Sequence, residues 1–142
     1  MELNTLAMVH AFLRKEVRPG AVCIDATAGK GRDTALLCRL AGETGRLPGG
    51  DPKIFTRADT SVEAIRAGLE LLRPGGVLAI ALYYGGENGY EERDRILQYL
   101  EEVDQRCFSV LACRWTNRRG DPPMPVFVWK EASWQDPEFR PQ

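Results

Sequence analysis

The sequence predicts an α/β fold built on a mainly parallel sheet, and three features carry that prediction. Residues 21–25 form a short apolar run that breaks at a glycine turn and resumes with helical spacing at 34–40, which is the order of a buried strand, a turn and a helix. Residues 60–84 repeat the theme as a helix, a turn and an apolar strand. Alternating helices and strands favour a parallel sheet, whereas the neighbouring runs 108–115 and 125–130 predict an antiparallel pair at one sheet edge.

Each remaining element has its own local signal. Apolar residues recur at intervals of three and four along residues 3–17 and 90–103, which predicts two amphipathic helices. Thr60 and Glu63 have the spacing of a capping box, so we expect a helix to begin there and to end at Pro74-Gly75-Gly76. The run that follows, residues 77–84, is apolar enough for a strand that is buried on both faces.

Size and composition indicate one soluble domain. The chain has 142 residues, 44% of them hydrophobic, and a net charge of −1. We place the domain at residues 1–130 and a polar tail at 131–142. The charge offers no global attraction to nucleic acid or membrane, so any contact with RNA must be local. No run approaches the roughly 18 apolar residues of a membrane span, and the first residues lack a signal-peptide pattern. We expect a cytoplasmic protein.

The thiols and the imidazole do not indicate a metal site. No two of the four cysteines have CxxC spacing, and His10 is the one histidine of the chain. Free thiols in a reducing compartment are therefore expected. We predict no bound metal.

The opening turn has the chemistry of a ligand site. Asp25 falls at the end of the first predicted strand, where open α/β folds bind ligands. The turn is not a P-loop, since Ile24 and Gly31 occupy the places of the required glycine and hydroxyl residue. Its small residues would let the backbone pass beneath the methionine part of S-adenosylmethionine. A glycine turn with a purely structural role is the alternative.

A set of motifs, taken together, points to one family. They are Asp25-Ala26-Thr27-Ala28-Gly29-Lys30-Gly31-Arg32-Asp33-Thr34, Leu47-Pro48-Gly49-Gly50-Asp51-Pro52-Lys53, Arg73-Pro74-Gly75-Gly76, Tyr83-Tyr84-Gly85 and Asp121-Pro122-Pro123. With these motifs in this order, the chain resembles the MnmM-type class I methyltransferases, a group also described as rRNA methylases, from Met1 to Lys130. The resemblance implies a Rossmann-like fold, S-adenosylmethionine as cofactor, and methyl transfer to the aminomethyl nitrogen of a modified wobble uridine in tRNA.

The resemblance also assigns parts of the site. The opening motif would hold the methionine part of the cofactor, through Asp25, Thr27, Gly29, Lys30, Gly31 and Asp33. The loop at 47–53, through Pro48, Gly49, Gly50 and Asp51, would shape the substrate mouth together with the strand end at Tyr83-Tyr84-Gly85. From composition alone, a plain surface turn is the alternative for this loop. Lys30 and Arg32 stand where the family usually has asparagine and histidine, and Asp121 stands where it usually has asparagine.

The reaction itself suggests further residues. Methyl transfer to an amine is an in-line displacement in which the enzyme mainly positions the reactants. Tyr83, Tyr84 and Asp121 are candidates for orienting the amine or accepting its hydrogen bond, although the tyrosines would equally suit the end of a buried strand. Arg118 and Arg119, with Arg114 and Trp115 beside them, are candidates for contact with tRNA phosphates and a base. An exposed basic loop without a partner is the alternative.

One part of the family pattern is missing. In the family, a strand ending in the acid that binds the ribose, and then further helices and strands, separate the first helix from the Leu-Pro-Gly-Gly-Asp loop. About fifteen residues lie between Gly31 and Leu47 here, and one crossover alone needs at least a dozen. We therefore expect an internal deletion after Arg46 that removes the adenosine side of the cofactor site. The sheet should then keep about four strands, either compacted or with edges covered in a homodimer.

Two other functional hypotheses fit the sequence. The deletion could leave a non-catalytic remnant, or a binding protein that works only through a partner. Alternatively, a methyltransferase of this kind could act on a small molecule or a protein instead of RNA.

Overall fold

The computed structural model describes residues 3–21, 58–84, 87 and 89–131. Most of the opening turn, the loop at 47–53 and the tail from residue 132 lie outside the described residues. The described elements, in chain order, are α1 (Thr5–Glu16), α2 (Ala58–Leu71), β1 (Val77–Leu82), α3 (Gly89–Glu102), β2 (Phe108–Ala112) and β3 (Met124–Lys130).

The described strands form one sheet in the order β1-β3-β2. β3 pairs antiparallel with both neighbours, with Leu82 opposite Met124 on one side and Ala112 opposite Val126 on the other. The predicted antiparallel pairing of the last two strands is therefore confirmed. β1 and β2 run in the same direction, and β3 lies between them. α3 connects β1 to β2 along the chain. The sequence also favoured a parallel sheet for the strand at β1, but β1 pairs antiparallel with β3, its described neighbour. The predicted opening strand at residues 21–25 lies, apart from residue 21, outside the described residues.

β3 is the centre of the core. Val126 and Val128 are completely buried, and their side chains share the face of the sheet on which α2 and α3 pack. The buried residues on that face are Ile65, Leu69, Leu82, Tyr84, Ile96, Leu100, Met124, Val126 and Val128. Burial of each such aliphatic side chain contributes about 1.5–3 kcal/mol. The sequence predicted a strand buried on both faces after Pro74-Gly75-Gly76, but Leu82 is the one buried residue of β1, whereas five of the seven residues of β3 are buried.

α1 covers the opposite face of the sheet. The ring of Phe12 lies 4.5 Å from that of Phe127 and 5.3 Å from that of Trp129, measured between centroids. Alternate residues of β3 thus serve the two faces, as the period of a strand requires. Helices lie on both faces of the described sheet, which is the layered α/β arrangement that the sequence predicts.

The helix boundaries differ slightly from the predicted ones. α1 begins after Asn4, whose side chain accepts a hydrogen bond of 2.8 Å from the backbone N–H of Ala7. α2 begins at Ala58, so Thr60 has helical backbone and is not an N-cap residue. The predicted capping box is therefore wrong, because a cap residue must lie outside the helix.

The predicted turn after α2 is present and is tied to the end of β3. Gly75 has a φ of +83°, a conformation that residues with a Cβ seldom adopt. Its N–H donates to the carbonyl of Lys130 at 2.8 Å, and the N–H of Lys130 donates to Gly76 at 2.9 Å. The ammonium of Lys130 donates to the carbonyl of Leu72 at 2.8 Å, which satisfies an acceptor left free by the end of the helix.

The described residues bear on two expectations, one about membrane-spanning helices and one about free thiols. None of the helices in the described ranges has the length and apolar character needed to cross a membrane. Cys107 and Cys113 are free, half-buried thiols, as expected, while the other two cysteines lie outside the described residues.

The start of α3 presses against the end of β1. Gly89 is buried, and a Cβ at this position would overlap the carbonyl group of Tyr84. Only glycine therefore allows the first turn of α3 to approach the backbone beyond β1 so closely.

We predict that Gly89→Ala destabilises the protein by about 1–3 kcal/mol, because the added methyl must displace packed backbone. The measurement is urea-induced unfolding followed by circular dichroism. Gly68→Ala is the matched control, since Gly68 lies within α2 and a Cβ there meets no atom within 4 Å; it should gain up to about 1 kcal/mol from helix propensity. Equal unfolding midpoints for Gly89→Ala and the wild type would show that the close approach is not needed.

Candidate functional site

The chain leaves β1 through two tyrosines in different environments. Tyr84 is 8% exposed and belongs to the core, whereas Tyr83 is 69% exposed. The two side chains differ because successive residues of an extended chain point to opposite sides. Of the two tyrosines predicted as site residues, Tyr84 is the one that packs in the core, just beyond the end of β1.

The sheet register brings Asp121 to the same place. Leu82 is opposite Met124 in the antiparallel pair of β1 and β3, so the residues just after Leu82 run alongside those just before Met124. The predicted residues Tyr84 and Asp121 therefore lie at one edge of the sheet, although 37 positions separate them along the chain.

Tyr90, in the first turn of α3, connects the two. Its ring makes an edge contact with the ring of Tyr84, with centroids 5.8 Å apart and an interplanar angle of 62°. Its hydroxyl donates a hydrogen bond to Oδ2 of Asp121. Tyr84 and Asp121 thus belong to one cluster through a residue that the sequence analysis did not single out.

Arg93 completes the cluster. Its guanidinium carbon lies 4.8 Å from the centroid of the Tyr84 ring and 5.1 Å from that of Tyr90, within the range of cation–π attraction. Arg93 follows Tyr90 by three positions, so the two share one face of α3. Arg93 also forms an ion pair of 3.0 Å with Asp94. We call Tyr84, Tyr90, Arg93 and Asp121 the tyrosine–aspartate cluster.

The electrostatics keep the phenol of Tyr90 protonated. The hydrogen bond to Asp121 is the main cause that raises the pKa of Tyr90 above its ordinary value of 10.0, with desolvation and the charge of Asp121 acting in the same direction. The hydroxyl therefore remains a hydrogen-bond donor throughout the neutral pH range. Ionisation would place two negative charges side by side.

The backbone at Asp121 is unusual. Asp121 has a φ of +49°, the one positive φ among the described non-glycine residues, and it follows Gly120 at +81°. Aspartate is one of the few residues with a side chain that tolerate this region. The turn projects an exposed carboxylate from the loop between β2 and β3.

The rest of this loop is anchored to α1 through Thr5. The buried hydroxyl of Thr5 donates to the carbonyl of Pro123 and accepts a hydrogen bond of 2.9 Å from the indole N–H of Trp115. The guanidinium of Arg118 stacks on the indole at 3.8 Å from its centroid and donates to the carbonyl of Leu3. Arg118 and Trp115 therefore form an ordered stack, while Arg119 is exposed beside it.

Several predicted site residues cannot be placed. The six proposed cofactor residues, Asp25, Thr27, Gly29, Lys30, Gly31 and Asp33, lie outside the described residues. So do the four of the substrate loop, Pro48, Gly49, Gly50 and Asp51. Their roles stay predictions. Within the described ranges, no group of three or more His, Cys, Asp or Glu side chains is arranged to hold a metal ion.

Sequence reasoning missed Tyr90, Arg93 and Thr5. A signal for Tyr90 and Arg93 was present, since an aromatic and a cation three positions apart open a helix directly after a strand ending in two tyrosines. Thr5 offered no signal, because its two hydrogen bonds join segments 110 and 118 positions away.

The hydrogen-bond acceptor of the tyrosine–aspartate cluster, the Asp121 carboxylate, suits an amine. Oδ2 of Asp121 accepts the bond from Tyr90, and Oδ1 accepts none from the described residues. An ionised carboxylate is an acceptor at both oxygens. The two tyrosine rings are already contacted by the guanidinium of Arg93. A carboxylate oxygen that accepts no hydrogen bond from the described residues suits a substrate that carries N–H groups.

Family comparison places the chain among methyltransferases. The model of the family described as "Putative rRNA methylase" matches residues 41–129, which is more than half of the chain. The chain belongs to this family. The matched part includes every described residue of the tyrosine–aspartate cluster.

Solved structures agree with this placement. A crystal structure described as a "putative rRNA-methylase" from Clostridium thermocellum has a TM-score of 0.82 and 28% identity, covering 92% of this chain and 99% of that one. A "putative methyltransferase" from Streptococcus mutans in complex with SAH has a TM-score of 0.77 and 25% identity over the same shares of the two chains. The Rossmann-like fold predicted from the resemblance is confirmed by this similarity.

A curated relative is similar over a shorter stretch. The chloroplastic tRNA (mnm(5)s(2)U34)-methyltransferase of Arabidopsis thaliana is 37% identical over 60 residues, which is 42% of this chain. The matched part spans 22% of that relative's length.

We predict that Thr5→Val lowers the free energy of unfolding by about 1–3 kcal/mol, because it leaves the Trp115 N–H and the Pro123 carbonyl without their partner. Valine keeps the shape of threonine, so the change tests the hydroxyl. Thermal unfolding followed by circular dichroism provides the measurement. Thr116→Val is the control at an exposed position next to Trp115 and should change stability by less than about 0.5 kcal/mol. A Thr5→Val protein as stable as the control would contradict the anchoring role.

Proposed function

We propose that the protein is an S-adenosylmethionine-dependent methyltransferase that acts on the aminomethyl group of a tRNA wobble uridine. Family membership supports methyl transfer, and the SAH complex of the Streptococcus mutans neighbour supports the cofactor. The Arabidopsis relative supports the wobble-uridine substrate. The observation that carries the proposal within this chain is the Asp121 carboxylate, held beside two tyrosine rings at the end of β1.

The cofactor would be held by the opening turn, from Asp25 to Asp33. When bound, S-adenosylmethionine supplies a methyl group on a sulfonium, which is open to attack by a nucleophile. In the transfer, the lone pair of the amine forms the new N–C bond, the electrons of the broken C–S bond stay on sulfur, and the methylated amine loses one proton.

The cluster residues act on the amine. An aminomethyl group is largely protonated at neutral pH, so its nitrogen must lose a proton before it can attack. Asp121 accepts a hydrogen bond from the substrate N–H through Oδ1, which orients the nitrogen, and its carboxylate is the base that takes the proton and leaves the lone pair available for attack. Tyr84 and Tyr90 line this position with apolar ring surface and limit the access of water. The main contribution of the protein to the reaction is then to position the amine.

The stack of Arg118 on Trp115 is the proposed contact with RNA. Guanidinium planes and aromatic rings are platforms for unstacked bases, and the indole covers only one face of the Arg118 guanidinium. Arg114 and Arg119 are exposed in the same loop and would contact phosphates, which position nucleic acid without reading its sequence. A local patch of this kind is compatible with a net charge of −1. A cytoplasmic location and a homodimer stay predictions.

The test is transfer of labelled methyl from S-adenosylmethionine to tRNA that lacks the final methyl of the wobble uridine. The full chain should incorporate label at that nucleotide. Folded protein that leaves this tRNA unlabelled would overturn the proposed substrate. Label in a small molecule or a protein, with none in tRNA, would support the other kind of methyltransferase.

We predict that Arg118→Ala raises the KM for tRNA by about tenfold and changes kcat little, since a stacked base contributes about 1–3 kcal/mol to binding. The measurement is steady-state methyl transfer at varied tRNA concentration. Arg14→Ala is the matched control, because Arg14 lies nine positions beyond Thr5 along α1, about 13 Å at the helical rise. Equal KM values for the two variants would remove the stack from the RNA interface.

A further inference from the structure

We infer that Tyr90 is a positioning residue for methyl transfer: it fixes the Asp121 carboxylate through Oδ2 and leaves Oδ1 to receive the substrate amine. The inference rests on the proposed function and assigns a role to a residue that neither the motifs nor the comparisons identify.

Tyr90 is itself held in place by its neighbours. It directly follows Gly89, which is buried against the carbonyl of Tyr84. Its ring is packed at an angle against the buried ring of Tyr84, and the guanidinium of Arg93 lies within 5.1 Å of its centroid. Aromatic pairs of this geometry contribute about 0.5–1.5 kcal/mol beyond burial. The hydroxyl of Tyr90 is therefore fixed by the core although the residue is 45% exposed.

Asp121 has few other contacts with the described residues that would hold it. It lies in the loop between β2 and β3, is exposed, and has left-handed backbone next to a glycine. Among the described residues, the Tyr90 hydroxyl is the one group that donates a hydrogen bond to its carboxylate. Without that bond, the side chain would move among its rotamers in solvent, and the amine would meet a mobile acceptor.

The hydrogen bond from Tyr90 leaves acceptor positions on the Asp121 carboxylate for a substrate. A carboxylate has about four acceptor positions on two oxygens, and a phenol donates one proton. Tyr90 therefore occupies part of Oδ2 and none of Oδ1. Arg93 contacts the rings rather than the carboxylate, and none of the ion pairs among the described residues includes Asp121.

The experiment compares Tyr90→Phe with Tyr99→Phe in tRNA methylation. Phenylalanine keeps the ring contacts with Tyr84 and Arg93 and removes only the hydroxyl. Tyr99 is on the same helix, and its ring contacts Arg66. Tyr90→Phe should lower kcat at least about tenfold with little change in the KM for tRNA, since misplacement of a reacting group acts on the chemical step. Tyr99→Phe should stay within about twofold of the wild type.

A second readout does not depend on activity. In protein labelled at the tyrosine ring carbon that bears the hydroxyl, the signal lost in Tyr90→Phe should titrate above pH 10 in the wild type. In Asp121→Ala the same signal should titrate at lower pH, because its acceptor is gone. Both results together would establish the pair in solution.

The outcomes separate the two proposals. An active wild type with an equally active Tyr90→Phe variant would overturn the positioning role and leave the proposed function standing. A Tyr90 signal that does not respond to Asp121→Ala would overturn the pair itself. A folded wild type that does not methylate tRNA would overturn the proposed function, and with it the catalytic role of the pair, whatever the titration shows.

Discussion

The position of β3 between β1 and β2 is the constraint on which the described structure depends. Its two completely buried valines, Val126 and Val128, form the centre of the core against α2 and α3. The pairing of Leu82 with Met124 also determines the site, because it aligns the segment after β1 with the segment before β3. Register in a buried sheet is strongly specified, since a slip of one residue would turn every side chain to the other face. The same register that buries the core therefore brings Tyr84 beside Asp121.

Much of the described fold could be predicted from the sequence because its signals are local. Helical periodicity located α1 and α3 to within two residues at each end. The turn at Pro74-Gly75-Gly76 was predictable because proline has a fixed φ and glycine readily adopts the positive φ that Gly75 has. The capping box at Thr60 failed because the spacing of a hydroxyl and an acid also occurs inside a helix. The deeper burial of β3 than of β1 was not predictable from hydrophobicity, since it depends on the strand order, in which β3 lies between the other two described strands.

The site was predictable only where its residues belong to motifs. Tyr84 and Asp121 were identified by their places in two motifs, and the structure joins them. Tyr83 was identified by the same motif, yet its side chain is exposed. Tyr90 was not found, because its importance lies in one hydrogen bond across 31 positions. Thr5 was missed for the same reason, as contacts between distant segments leave no periodic trace in a sequence.

The described residues include the Asp121 carboxylate, to which we assign the substrate amine, and the ordered stack of Arg118 on Trp115, to which we assign a base. The opening turn, to which we assign the cofactor, lies outside the described residues, and the sequence predicts that the strands that would contact the adenosine are missing. Cofactor binding therefore separates a working methyltransferase from a remnant more directly than any property of the described residues.

The measurement is calorimetric titration of the full chain with S-adenosylmethionine, beside an Asp25→Ala variant. Saturable binding of one molecule per chain, weakened at least about tenfold in the variant, is the predicted result; it would mean that Asp25 supplies about 1.4 kcal/mol or more of the binding free energy. Absence of saturable binding at millimolar cofactor, in protein that unfolds cooperatively, would contradict the account and favour a non-catalytic remnant.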